Sequence, residues 1–328
     1  MPSFLKTTLL TLASIVFALA LVEAAVRVAV DDGMQYDLEM WKYARWMKRV
    51  SAIPGAGHEH RPGAAAHLMG ADLRINTTKQ RGPEVASPKP AGVYRILMLG
   101  DSVTLGWGVA EADTTAARLE AVLNRTTAGG GKRVEVVNAG VGNYNTAMEA
   151  AWFLAEGRRL EPDLVVLNYF INDAEETPHR KGGPLREYSA AFVYFWGRLD
   201  SLQRRFLGAS DWRRYYRGLY APDRAGWRQV QAKIAELASY CRKHGLPLVL
   251  VNYPELRQLS PYPFADVSAK LATLARKLDI PYLDLLASVA GAAPASLWVT
   301  PEDAHPNALA DARFATAIGS WLRDRIER

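Results

Sequence analysis

The chain has 328 residues, 49% hydrophobic and 23% charged, with 40 Lys plus Arg against 34 Asp plus Glu. These values exclude collagen-like, low-complexity and wholly disordered chains, and a net charge of +6 is weaker than a dedicated nucleic-acid binder shows. The single cysteine, Cys241, rules out an intramolecular disulfide framework and any multi-cysteine metal site.

The N-terminus carries the first strong signal. Thr7 to Val22 holds no charge, and the apolar stretch reaches Val30 with only Glu23 and Arg27 interrupting it. As a helix, Thr7–Val30 is about 36 Å long, enough to cross a bilayer. Residues 1–30 therefore read as an uncleaved signal anchor. A cleaved signal peptide stands beside that reading, because Ala18-Leu19-Ala20 resembles a small-x-small cleavage site. A buried core helix is the third reading. Either export reading places the rest of the chain outside the cytoplasm, although Lys42, Arg45, Lys48 and Arg49 are charges the positive-inside rule would keep in it.

Residues 31–90 read as an appendage. Met34 to Val50 suggests a short helix, and Pro54-Gly55, Pro62-Gly63, Pro83, Pro88 and Pro90 punctuate a loop-rich stretch. His58-Glu59-His60 has no third ligand near it in sequence and reads as solvated loop histidines rather than a metal site. Alternation begins at Arg95. Apolar runs at Arg95–Gly100, Val134–Gly140, Leu164–Phe170, Leu246–Tyr253 and, more weakly, Tyr282–Leu286 read as strands. Between them, Ala112–Leu123, Thr146–Gly157, Trp227–His244 and Asp266–Leu278 read as helices, and Ala308–Ile326 closes the chain. Apolar strands alternating with helices predict a parallel sheet covered on both faces, with its site beyond the carboxyl ends of the strands. His179 and His244 read as surface residues, and Cys241 as a buried helix residue.

Residues 174–226 break the alternation. From Arg180 to Arg228 there are 11 Lys/Arg and 4 Asp/Glu, and Tyr188 to Trp227 holds 11 of the 32 aromatics. Internal packing of a helical insertion is one reading. A membrane-facing or partner-docking lid, or a surface for an anionic glycan, is the other. On the second reading several of Phe192, Tyr194, Phe195, Trp196, Trp212 and Tyr216 are expected to be exposed or to border the cleft.

Four short blocks carry chemistry. Gly100-Asp101-Ser102 follows the first strand, where a serine projects into the cleft beside a helix N-terminus. Val137 to Thr146, with Gly140, Gly142 and Asn143, is a Gly-rich turn whose backbone N–H groups are free to face a ligand. Phe170-Ile171-Asn172-Asp173 follows the third strand and offers the Asn172 amide. Asp303-Ala304-His305 precedes the last helix, where the carboxylate can hold an imidazole that takes a serine proton. No Gly-x-Ser-x-Gly, phosphate loop or Gly-x-Gly-x-x-Gly follows a strand, which disfavours a lipase elbow and nucleotide binding.

These blocks, in this order, resemble the SGNH/GDSL hydrolase family over residues 91–328, with the insertion 174–226 outside the resemblance. The resemblance implies a three-layer α/β/α fold around a central parallel sheet. It also implies Ser102 as nucleophile, His305 as base and Asp303 as its orienter. The oxyanion would be held by the Ser102 N–H, the N–H of Gly142 or Asn143, and the Asn172 amide, with no metal or other cofactor. Asn143 stands where the family commonly has glycine, and Phe170 where it has glycine in the third block. The segment Arg74 to Gly82 is more loosely similar to a leader found in an exported, membrane-anchored branch. That branch implies an inner-membrane anchor with the catalytic domain facing the periplasm. It also implies an acylated, commonly acetylated, envelope glycan or small acyl ester as substrate, a membrane-bound O-acyltransferase as a partner, and no nucleic acid. Filled catalytic positions argue for a serine esterase or acyltransferase over the alternative, a catalytically quiet assembly component of an envelope polysaccharide complex.

Overall fold

The computed structural model describes residues 3–126, 130–177, 183–206 and 211–326. His179 and parts of the insertion therefore lie outside the described residues. Helix α1 (Ser3–Ala25) continues through a π-helical stretch, Val26–Val30, and is long and apolar enough to cross a membrane. Among the described residues, it is its last turns that touch the rest of the chain. Val26 packs with Leu38, Ala190 and Ala191. The Glu23 carboxylate accepts hydrogen bonds from Ser189 Oγ (2.7 Å) and from the N–H groups of Ala190 and Ala191 (2.9 and 3.0 Å).

Next come α2 (Tyr36–Trp46) and two antiparallel hairpins. The first pairs β1 (Lys48–Val50) with β2 (His58–His60), the second β3 (Ala65–Leu68) with β4 (Ala71–Arg74). This region is more than an appendage. Leu38 and Tyr43 on α2 and Met47 just past its end are fully buried, Leu38 in one cluster with Val26 and Tyr43 and Met47 in another with Leu73 and Trp107. The His58-Glu59-His60 reading is corrected too: His60 and Glu59 are buried, because the hairpin folds back over the main domain.

The central sheet has five parallel strands in the order β6-β5-β7-β8-β9: β5 (Val93–Gly100), β6 (Arg133–Gly140), β7 (Leu164–Tyr169), β8 (Leu248–Asn252) and β9 (Tyr282–Asp284). Successive side chains leave opposite faces of a strand, so β5 feeds two cores. Leu97 and Leu99 pack under α5 (Thr146–Ala155), α9 (Ala225–Lys243) and α10 (Ala265–Lys277). Ile96 and Met98 pack under α4 (Thr115–Leu123) and α11 (Ala308–Ile326). The expected three layers are thus present. The chain passes from β5 to β6 on one side and then crosses back to β7 on the other, so the topological switch point lies at the carboxyl end of β5. The short helix α3 (Ser102–Leu105) starts there.

The insertion contributes α6 (Pro184–Tyr188), α7 (Ala190–Phe206) and α8 (Trp212–Leu219). Its aromatics divide. Phe195 and Trp196 are exposed, whereas Trp212 and Tyr216 are half-buried against the Phe264 ring. Tyr220 closes the excursion, its hydroxyl bonded to Tyr169 Oη (2.8 Å) and to Ile171 O (2.9 Å). The expected final loop is in fact a hairpin of β10 (Trp298–Thr300) and β11 (Asp303–Pro306), which puts Asp303 and His305 on the same face of one strand.

Arg81, in the segment before β5, ties the layers together. Its buried guanidinium donates to Leu105 O (2.7 Å), Gly106 O (2.6 Å) and Val109 O (2.5 Å), at and just beyond the end of α3. Arg81→Met removes three buried hydrogen bonds, one of them the side-chain contact to Val109 O, and should cost about 3 kcal/mol. That corresponds to a fall of roughly 6–12 °C in the thermal midpoint. An unchanged midpoint would remove Arg81 from the framework.

Candidate active site

Each sequence block reaches the carboxyl edge of the sheet by a separate strand. Ser102 follows β5 directly, and its Oγ lies 2.9 Å from His305 Nε2. His305 Nδ1 lies 2.5 Å from Asp303 Oδ1, which also accepts the His305 backbone N–H at 3.1 Å. Asp303 Oδ2 accepts the indole N–H of Trp107 at 3.1 Å. Burial would raise the Asp303 carboxyl. The neighbouring His305 and the three donors outweigh it and hold Asp303 below its usual range. Such a chain can hold one imidazole tautomer and pass a hydroxyl proton to Nε2.

The second block meets the first through the register of the sheet. Gly100 pairs with Gly140, and the Val141 N–H donates to Gly100 O at 3.0 Å. The next turn holds Gly142 and Asn143. The Gly142 N–H donates to Tyr43 Oη at 2.9 Å. The Asn143 N–H has no partner among the described residues, and Asn143 sits at φ +67°, in the left-handed region. From the other side, Asn172 follows β7 and its amide lies against the Asp101 carboxylate. Asp101 Oδ1 caps α3 by accepting the Val103 N–H at 2.8 Å.

Three site neighbours were not legible in sequence. Tyr36, at the start of α2, stacks on His305 with ring centres 6.0 Å apart. Tyr43 takes the Gly142 N–H, and Lys48 Nζ donates to Gly142 O (3.0 Å) and Asn143 Oδ1 (3.1 Å). Tyr43 was discoverable only as a buried position on the α2 pattern. Lys48 read only as one of four basic residues after the apolar segment. Burial pushes the Lys48 ammonium down to about 7, and pushes His58 down to about 4 and His60 down to about 3.

Behind Ser102 lies a buried acidic group. Asp101, Glu149 and Asp173 are all buried, and neither Glu149 carboxylate oxygen has a partner among the described residues. Asp173 Oδ2 accepts the Phe170 N–H (3.2 Å) and Thr146 Oγ1 (3.3 Å), while its Oδ1 is unpartnered among the described residues. Desolvation first, and mutual repulsion second, raise Glu149 and Asp173 well above the carboxylate range. Asp101 is raised by desolvation. Among the described residues no group of three or more His, Cys, Asp or Glu is placed to hold a metal ion.

The family model described as GDSL-like Lipase/Acylhydrolase family matches residues 98–313. Similar solved structures include a two-domain esterase (CEX) active on acetylated mannans, 18% identical, with 72% of this chain and 50% of that one covered and a TM-score of 0.45. This chain thus spans half the length of that protein. TesA is 19% identical, with 70% and 98% covered and a TM-score of 0.48. A mutant of Axe2, an acetyl-xylooligosaccharide esterase from Geobacillus Stearmophilus, is 15% identical, with 70% and 93% covered and a TM-score of 0.45. No curated protein matches the chain.

The acidic group has a signed pH signature. Between the ordinary glutamate pKa and the raised folded value, the unfolded chain releases the Glu149 proton and the folded chain keeps it. Stability therefore falls as pH rises through that window. Glu149→Gln should match the native chain near about pH 4 and exceed its thermal midpoint near about pH 8. Equal destabilisation at both pH values would show that the Glu149 carboxyl carries no such penalty.

Proposed function

Because this chain belongs to the GDSL-like lipase/acylhydrolase family and is thereby a serine ester hydrolase, we propose that Ser102, His305 and Asp303 carry its chemistry as nucleophile, base and orienter. The observation that supports this most is the unbroken chain of contacts Ser102 Oγ, His305, Asp303, Trp107. As Ser102 Oγ attacks an ester carbonyl, its proton passes to His305 Nε2, and the carbonyl π pair becomes an oxyanion. Collapse of the tetrahedral intermediate breaks the bond to the alkoxy oxygen. That oxygen takes the proton from His305, and the acyl group stays on Ser102. Water, or a hydroxyl of an acceptor sugar, then gives its proton to His305 and attacks the acyl-serine; the bond to Ser102 Oγ breaks, Oγ takes the proton back from His305 Nε2, and free acid or a new ester leaves.

The oxyanion is assigned to the N–H groups of Ser102 and Asn143 and to the Asn172 amide. Of the two turn donors weighed from sequence, Asn143 is chosen, since the Gly142 N–H is committed to Tyr43.

The substrate is read as a small acyl ester, an acetyl group foremost, on an extracytoplasmic envelope glycan. Two features support a sugar. The Tyr36 ring lies over His305, and Tyr216 and Arg257 are near enough to Tyr36 to act on its phenol. Aromatic faces beside an arginine suit an acylated, acidic sugar. Retention of α1 as the anchor is supported by its contacts: Glu23 caps the start of α7 and Arg27 donates to Tyr188 O at 3.1 Å. In this reading the exposed Tyr188, Phe195 and Trp196 lie near the bilayer surface, and a membrane-bound O-acyltransferase is the partner that would exchange acyl groups with the site.

Ser102→Ala should abolish labelling by a fluorophosphonate and lower kcat on 4-nitrophenyl acetate by several orders of magnitude. Asn172→Ala should lower kcat by roughly 10²–10³ with little change in KM. Turnover within tenfold of native in Ser102→Ala would sink the assignment, and a change confined to KM would make Asn172 a substrate contact.

A further inference from the structure

Asn143 is held in a conformation that its residue type does not favour. Its φ of +67° is disfavoured for a residue with a Cβ, although Asn tolerates it better than most. The peptide unit before it is held at its carbonyl. Lys48 Nζ donates to Gly142 O at 3.0 Å, and His58 Nε2 lies 3.0 Å from the same oxygen. A carbonyl only accepts, so His58 Nε2 carries the proton in this contact. Lys48 also donates to Asn143 Oδ1 at 3.1 Å, and its ammonium stands 4.7 Å from the centre of the Tyr43 ring. Tyr43 Oη in turn accepts the Gly142 N–H and lies 2.7 Å from His60 Nε2. Tyr144 Oη donates to His58 O at 2.6 Å. The turn is thus gripped along successive peptide units by residues of the hairpin and helix that precede the main domain.

Gly142 O and the Asn143 N–H belong to the same trans peptide plane and so point in opposite directions. Holding the oxygen fixes where the N–H points. We propose that Lys48 is a positioning residue: by bonding Gly142 O and Asn143 Oδ1 together, it prevents the Gly142–Asn143 peptide from turning over and keeps the Asn143 N–H directed at the oxyanion. This rests on the oxyanion assignment made above. A hydrogen-bond donor at the carbonyl also polarises the shared amide and strengthens its N–H as a donor. The position offers little reason for a lysine on stability alone, since Lys48 is 7% exposed and has no carboxylate among its contacts with the described residues. Where the family commonly has glycine, which takes a positive φ freely, this chain has Asn143 and a lysine bonded to its side chain.

The test is a double-mutant cycle on the full-length protein in detergent, with 4-nitrophenyl acetate as substrate. Lys48→Met should lower kcat by roughly 10–100-fold, a part of what losing one oxyanion donor costs, while KM stays within about threefold. The same substitution in an Asn143→Gly background should cost less than half as much on a logarithmic scale, because glycine needs no side-chain anchor for the left-handed conformation. Equal costs in the two backgrounds, or a loss carried by KM, would overturn the proposal. If Lys48→Met does not fold, His58→Phe takes its place. It removes the other donor to Gly142 O and keeps a ring against Tyr144. A several-fold loss in kcat alone then supports the proposal, and native kcat overturns it. Ser102→Ala run in parallel separates the two levels. If Ser102→Ala stays active, the site assignment itself falls. If it is dead while Lys48→Met is native, only the role of Lys48 falls.

Discussion

The site depends on one close approach, between the carboxyl ends of β5 and β6. A Cβ on Gly140 would stand 2.2 Å from the Leu105 nitrogen, and one on Gly100 would stand 1.9 Å from Thr104 Oγ1. Neither has room for a side chain. Because both are glycine, α3 lies directly on the ends of the two strands. Ser102 then emerges beside the turn that carries Gly142 and Asn143. The Asn138 amide adds to this by donating to Thr104 O at 2.9 Å. Arg81 closes the other end of α3 from below.

A second constraint comes from the region before the sheet, which completes the site rather than decorating it. Tyr36 covers His305, and Tyr43 and Lys48 hold the Gly142–Asn143 peptide. Gly142 itself is tight against the Tyr43 ring, where a Cβ would stand 2.6 Å from Cε1. The basic run after the apolar helix is absorbed by the same region. Lys42 pairs with Asp31 (2.5 Å) and Glu39 (2.6 Å), Arg49 pairs with Glu59 (2.7 Å), and Lys48 is buried. Charges that look free in the sequence have fixed partners in the fold.

Two carboxyls near one imidazole are driven apart by their surroundings. Asp303 gains His305 and three hydrogen-bond donors and is held ionised. Asp101 sits among buried acids and is raised by desolvation, with the His305 charge opposing the shift. Opposite shifts sort the two into different roles, an orienter of the imidazole and a cap for α3. Desolvation and repulsion keep Glu149 and Asp173 protonated behind Ser102, so they add little negative charge there.

The amino-acid sequence by itself determined the alternation of strands and helices, because apolar runs and amphipathic stretches are local patterns read a few residues at a time. It also determined the four blocks, since each is a short contiguous string at the end of one element. The distances among them were decided by the tertiary structure. Ser102 and His305 are 203 positions apart and meet only because the β10–β11 hairpin brings His305 to the carboxyl end of β5, the second strand of the sheet. The hairpin that aligns Asp303 with His305 was not legible, since strands this short leave too little pattern. Nor was the choice between Gly142 and Asn143, which turns on a hydroxyl from Tyr43, 99 positions away. Lys48 shows the same limit most plainly. A lysine in a basic run reads as solvated, and only the fold reveals that it is buried, because burial and partners are properties of surroundings that the local sequence does not contain.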